Sequence, residues 1–147
     1  MQKVLVIIIL LITNNLFSQG IIGKWKNIDD NNQAKSIIEI YQENGIYYGK
    51  ILQVVQRKDG ICTTCVGKYH TKNINGLLIL KDLKKNGEKY ENGTIIDPEN
   101  AKKYSCYLQL ENNSKLKIRG FIGLSIIGRT EYWYRVTKEE LITLENN

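Results

Sequence analysis

Asn-Gly pairs recur in this chain at Asn44-Gly45, Asn75-Gly76, Asn86-Gly87 and Asn92-Gly93, each beside a short run rich in isoleucine, valine, leucine or tyrosine. A two-residue hairpin turn of the favoured kind needs positive φ at both central residues, so Asn-Gly between two such runs is a strong short-range hairpin signal. Glu43-Asn44-Gly45 joins Ser36–Gln42 to Ile46–Gln56 in this way, Asn86-Gly87 and Asn92-Gly93 read as two further turns, and Asn75-Gly76 leads into Leu77–Leu83. A first strand around Trp25 and the runs Glu88–Ile96, Lys103–Glu111, Lys115–Ile122 and Arg129–Thr137 bring the expected strands to eight. Alternation is clearest in Lys103–Glu111, where Tyr104, Cys106, Leu108 and Leu110 share one face. The only proline, Pro98, sits in Asp97-Pro98-Glu99-Asn100, where a type I turn accepts it. The sole candidate for a helix after the first strand is Lys138–Leu144, long enough for a turn or two. The expected fold is therefore all-β: a single eight-stranded up-and-down antiparallel barrel, because a meander that closes on itself removes its exposed edges. A sandwich or half-open barrel is the alternative.

The N-terminal stretch stands apart from that pattern. Lys3 precedes an unbroken apolar run, Val4–Ile12, and Ser18 offers a small residue for cleavage before Gln19. This arrangement predicts a signal peptide over residues 1–18 and one β-barrel domain over 19–147, exported to the periplasm or the exterior. The apolar run is too short to cross a bilayer, so no stable membrane insertion is expected, with a signal anchor as the competing reading. The first cysteine is Cys62, leaving no lipidation site after the run. Cleavage removes one charge, taking the formal net charge of +6 to +5. The lysines are scattered, with no arginine-rich or aromatic-interleaved patch, so nucleic acid is not an expected partner.

Arg57–Asn75 is polar, shows neither period and reads as one long loop containing Cys62-Thr63-Thr64-Cys65. In an oxidising compartment the two cysteines are expected to form a local disulfide. A thioredoxin-like pair would want a helix N-terminus that the flanks do not supply. A zinc site on Cys62, Cys65 and His70 would need a fourth ligand, such as Cys106 from another strand. Cys106 itself reads as a small buried hydrophobe, or as a partner for a loop cysteine. His70 has no nucleophile or carboxylate at a telling spacing, and Asp97 and Glu99 read as solvated turn carboxylates. No phosphate loop, dinucleotide fingerprint or His-Glu-x-x-His occurs. The sequence thus assigns no catalytic residue, metal or cofactor, and enzyme chemistry is unsupported rather than excluded.

The closing hairpin, Arg119 to Arg135, concentrates the informative residues. It holds three of the chain's four arginines together with Gly120, Gly123, Gly128 and Trp133. Period two places Arg129, Glu131, Trp133 and Arg135 on one face of the last strand, and an inward arginine needs a ring or an acceptor to offset its desolvation. Two readings share these residues. In one, Arg129 or Arg135 covers a buried Trp25 as a structural lock. In the other, Arg119, Arg129, Trp133 and Arg135, with Trp25 beneath, line one end of the barrel and fix the anionic head of a ligand, while Ile122, Leu124, Ile126 and Ile127 form an apolar lip.

Gly23-Lys24-Trp25, Gly45-Ile46-Tyr47-Tyr48-Gly49-Lys50-Ile51, Cys62-Thr63-Thr64-Cys65, Asp97-Pro98, Tyr104-Ser105-Cys106, Arg119-Gly120-Phe121-Ile122-Gly123, Gly128-Arg129-Thr130 and Trp133-Tyr134-Arg135 follow one another along the chain. In that order and spacing they resemble the bacterial secreted family catalogued as domain of unknown function 2147. More distantly, Gly23 and Trp25 on the first strand with an arginine near the last resemble lipocalins and other calycins, whose barrels hold small apolar ligands. The resemblance implies a binding module for a small, partly apolar, lipid-like or anionic ligand. The alternative is a structural or interaction module of the cell envelope with a filled barrel. Oligomeric state is not legible.

Overall fold

A computed structural model describes residues 20–57 and 59–146; the expected signal peptide, residues 1–18, lies outside the described residues. Eight antiparallel strands close a barrel: β1 (Gly23–Ile28), β2 (Ala34–Glu43), β3 (Ile46–Val54), β6 (Leu78–Asn86), β7 (Lys89–Asp97), β8 (Lys102–Asn112), β9 (Lys115–Phe121) and β10 (Gly128–Arg135). Each pairs with its neighbour in the meander, and β10 returns to β1 through Trp25↔Arg135 and Lys26↔Tyr134. That seam leaves no free edge in the barrel.

Three local expectations are revised. Asn44 (φ 49°) and Gly45 (φ 80°) do form the β2–β3 turn, but Asn92-Gly93 lies inside β7. Asp82 (φ 61°) and Asn92 (φ 62°) both lie in the gap of the β6–β7 ladder between Lys81↔Thr94 and Lys84↔Glu91, and the β7–β8 register shifts between Tyr90 and Gly93. Positive φ here makes a bulge that bends the strands rather than reversing the chain. Glycine is required at the bulge because a Cβ on Gly93 would stand 2.5 Å from the Lys81 carbonyl and 2.6 Å from Leu83. The segment read as a long loop contains a two-stranded ribbon, β4 (Ile61–Cys62) with β5 (Lys72–Asn73), and a 3₁₀ turn at Gly67–Tyr69. Its Tyr69 and Ile74 are buried against the barrel's core, which is what anchors it. At the C-terminus α1 (Lys138–Asn146) is longer than a turn or two. Thr137 and Glu140 satisfy each other's backbone N–H groups in a capping box, and Glu140 is ion-paired with Lys26 of β1.

The two ends of the barrel differ. At the end bearing the β2–β3, β6–β7 and β8–β9 turns the interior is filled by Trp25, Ile40, Leu83, Leu108 and Leu116, all fully buried, and by Tyr47 edge-on to Tyr90 with centroids 4.8 Å apart. The segment Gly20-Ile21-Ile22 crosses this end as a strap. Trp25 Nε1 donates to the Ile21 carbonyl (2.7 Å). Arg135 lies 4.2 Å over the Trp25 ring and donates to the carbonyls of Gly20 (2.9 Å), Ile22 (3.1 Å) and Asn113 (2.6 Å). Gly23, at φ 133°, serves the same clamp, since a Cβ there would sit 3.0 Å from the Arg135 guanidinium.

Candidate functional site

The opposite end is open. A cavity of about 1010 Å³ enters the barrel between the β1–β2 loop, the cysteine-bearing excursion, the β7–β8 turn and the β9–β10 loop. Its inner wall is apolar, formed by Ile51, Ile79, Ile95, Ile118 and the ring of Trp133. Leu116 and Trp25, the next layer inward, do not line it, so Trp133 and Ile118 mark its depth. The space arises partly from Gly120. Along β9 the inward positions run Leu116, Ile118, Gly120, and the last supplies no side chain where the first two supply large ones.

Polar groups crowd the rim and are mostly paired. Arg129 meets Glu131 at 3.3 Å, with the arginine side chain 82% exposed. Lys35 is ion-paired with Glu99, and Gln56 donates to Asp29. The Asp29 carboxyl is held below its ordinary range, chiefly by the Gln33 backbone N–H. Deeper in, Ser36 donates its hydroxyl to Asn27 Oδ1 (2.7 Å). Trp133 differs. It is 2% exposed and its Nε1–H has no hydrogen-bond acceptor among the described residues.

The hairpin residues expected to act together are separated. Arg129, Glu131, Trp133 and Arg135 do share the inner face of β10, opposite Gly120, Ile118, Leu116 and the closed end in turn. Six residues of strand span about 20 Å, so Arg129 sits at the mouth while Arg135 and Trp25 sit at the closed end, outside the cavity. Arg119 pairs with Thr130 on the outer face and is committed to the hairpin loop: it donates to Thr130 Oγ1, to the Ser125 carbonyl and to the Ile126 carbonyl, each at 3.0 Å. The single arginine cluster at one barrel end is thus replaced by three separate roles. Of the apolar lip, Ile122 and Ile127 reach the cavity; Leu124 (70% exposed) and Ile126 (81%) point away into solvent.

Cys62 and Cys65 form a disulfide, with Cα atoms 5.4 Å apart, at the edge of the mouth. Both sulfurs are consumed, which removes the zinc reading, and His70 Nδ1 contacts the Cys65 carbonyl at 3.0 Å. Cys106 is a buried free thiol whose pKa burial pushes up to about 12. The cavity's wall residues on β3, β6 and β7 and the orphan Trp133 donor were not foreseen from sequence. Gly120 was the available signal, as a small residue in an inward position of a strand otherwise filled by Leu116 and Ile118.

No curated protein sequence matches the chain. Among solved structures, a protein from the human pathogen Helicobacter pylori, HP1028, described as belonging to the lipocalin family, is similar with a TM-score of 0.66 and 22% sequence identity, covering 84% of this chain and 87% of that one. The likeness extends to the barrel as a whole and identifies the fold as lipocalin-like. Residues 23–135, from the clamp glycine to the clamp arginine, match the family described as "Uncharacterized protein conserved in bacteria", and the chain belongs to this family, DUF2147.

Proposed function

We propose that this protein is an exported carrier or sensor that holds one small, largely apolar molecule in the open half of its barrel. The cavity carries the reading. About 1010 Å³ bounded by isoleucines and an indole, behind a polar rim, is at the upper end of the size range in which proteins bury small molecules. An eight-stranded barrel can be just filled or can hold one ligand, and here the filling stops midway. The Cys62–Cys65 disulfide supports an oxidising compartment. The anionic head expected from the arginine count has less to recommend it, because Arg119 and Arg135 are spent on backbone carbonyls and Arg129 on Glu131.

Gly120 offers the test. A Cβ there meets only ordinary contacts, 3.7 Å from Ile95 and 3.8 Å from Tyr104, so Gly120→Phe would place a ring in the cavity without a backbone penalty. The neutral fluorophore N-phenyl-1-naphthylamine should bind the wild type at one site and should lose at least about tenfold in affinity in the folded variant, the scale of a few removed apolar contacts. Equal binding by the two proteins, or none by either, refutes the cavity as a ligand site.

A further inference from the structure

We infer that the tip of the β9–β10 hairpin, residues Ile122 to Ile127, docks reversibly on a lipid surface and turns the mouth of the cavity toward it. The docking stands on the tip itself; that it serves to load or unload the cavity rests on the ligand reading above.

Four observations carry it. First, the tip concentrates exposed aliphatic surface. Ile122, Leu124, Ile126 and Ile127, each at least 69% exposed, fall within six residues, whereas the other large hydrophobics exposed among the described residues, Ile22, Val66, Tyr132 and Ile142, stand singly along the chain. A contiguous apolar patch marks contact with a protein or a membrane. Second, the crown of the tip has its carbonyls satisfied from within. Arg119, on the outer face of β9, donates to the carbonyls of Ser125 and Ile126, and the Ile127 N–H donates to the Leu124 carbonyl, each at 3.0 Å. Three consecutive carbonyls thus have donors where water could not supply them, and a backbone carbonyl carried into an apolar phase without a partner is costly. Third, the tip is small. Four mostly exposed aliphatic side chains offer on the order of 300 Å² of apolar surface, against about 800 Å² per partner in a stable protein–protein interface. A lipid surface sets no such minimum, since binding there scales with the apolar area buried. Fourth, tip and cavity are continuous. Ile122 and Ile127 belong to both, so an apolar molecule passing between lipid and the barrel interior would move along aliphatic surface. Charge does not choose the surface, because the mouth carries both signs: Arg129 meets Glu131, and Lys35 meets Glu99. The surface expected is therefore zwitterionic lipid, entered by aliphatic side chains.

The test floats the mature chain, residues 19–147, with dioleoylphosphatidylcholine vesicles on a density gradient. The wild type should float with the vesicles, and equally at about 0.1 M and about 1 M salt, between which the screening length falls from about 10 Å to about 3 Å. Leu124→Ser combined with Ile126→Ser changes the two side chains that point away from the cavity, and should lower the partition coefficient at least about tenfold, the scale of two aliphatic side chains withheld from lipid. The double variant should keep the wild-type urea midpoint, and its N-phenyl-1-naphthylamine affinity without vesicles should stay within about twofold, because both side chains are largely exposed. A second variant, Leu124→Trp, should be quenched by dibrominated phosphatidylcholine, while the wild type, whose Trp25 and Trp133 are buried in the barrel, should be quenched little. A wild type that stays with the unfloated protein overturns the docking, as does a double variant that floats as well as the wild type. Flotation confined to vesicles containing phosphatidylglycerol and lost at about 1 M salt overturns the aliphatic mechanism and assigns the contact to the lysines. Dimerisation of the wild type in sedimentation velocity that is lost in the double variant assigns the tip to a second copy of the chain and overturns the inference too. Flotation of the wild type without any binding of N-phenyl-1-naphthylamine removes the ligand reading and leaves the docking standing.

Discussion

Replacing Arg135 by lysine isolates what the clamp at the closed end contributes, because it keeps the positive charge and removes the planar fork. Arg135 donates three hydrogen bonds to backbone carbonyls, on Gly20, Ile22 and Asn113, and covers the Trp25 ring at 4.2 Å. Hydrogen bonds involving a charged group contribute about 1.5–3 kcal/mol each, and the stacking about 0.5–2 kcal/mol. A lysine ammonium can retain one of the three bonds, and two of the three lie near solvent, which reduces their worth. The expected loss is therefore about 2–4 kcal/mol, a large share of the roughly 5–15 kcal/mol that holds a domain together. Urea unfolding followed by tryptophan fluorescence should show a midpoint lowered by about 1–2 M with an unchanged slope. In a double-mutant cycle with Trp25→Phe, the coupling should be at least about 0.5 kcal/mol, as expected for residues in contact. A change under about 0.5 kcal/mol for Arg135→Lys, the range of an ordinary surface substitution, would refute the lock and return Arg135 to the pool of ligand-binding candidates.

Three other outcomes follow from the geometry. Ellman titration of the unreduced native protein should find no reactive thiol at pH 8, one in denaturant, and three after reduction and unfolding, since Cys62–Cys65 is closed and burial raises Cys106 to about 12; a thiol reactive in the native state would contradict the burial. Glu140 has its pKa lowered from an ordinary 4.5, first by its hydrogen bond from Lys26 and then by the Thr137 N–H, so the stability it adds is fully present above pH 4.5 and is lost as pH falls through its folded-state value; Glu140→Gln should flatten that acid limb of the stability profile, and an unchanged limb would exclude the pair as its source. Arg129→Ala should leave N-phenyl-1-naphthylamine affinity within about twofold and stability nearly unchanged, because an ion pair so exposed contributes little; a selective loss of binding by an anionic probe such as 3-phenylpropanoate would reinstate an anion site at the mouth.

The barrel was legible because its signals are local. Turn residues and period-two runs specify strands one at a time, and eight consecutive strands closed by the β1–β10 seam leave the meander no other edge to satisfy. The Cys62–Cys65 pairing was legible for the same reason, as both partners sit in one short segment. Asn92-Gly93 was misread because an identical dipeptide serves a turn or a bulge. What decides between them is Lys81 and Leu83 closing over Gly93 from the neighbouring strand, which no local pattern states.

The arginines show where local reading stops. Arg119, Arg129 and Arg135 lie in one hairpin, yet one braces a loop from outside, one meets a glutamate at the rim, and one locks a strap 115 residues away in sequence. Periodicity gave the side of the strand correctly for β10, but the partners are backbone carbonyls whose positions depend on how the barrel closes. The same closure sets the two tryptophans apart. A tryptophan on an inward position reads as core, and Trp133 is core by burial. Its difference from Trp25 lies only in the missing acceptor. Along the inner face of β10 every charged side chain has a partner supplied by the protein, while the one neutral donor has none. A barrel selecting an anion would be expected to leave a cation unsatisfied, whereas the arginines of β10 are committed to Glu131 and to backbone carbonyls, so the pattern argues for a ligand held by the apolar wall rather than by charge.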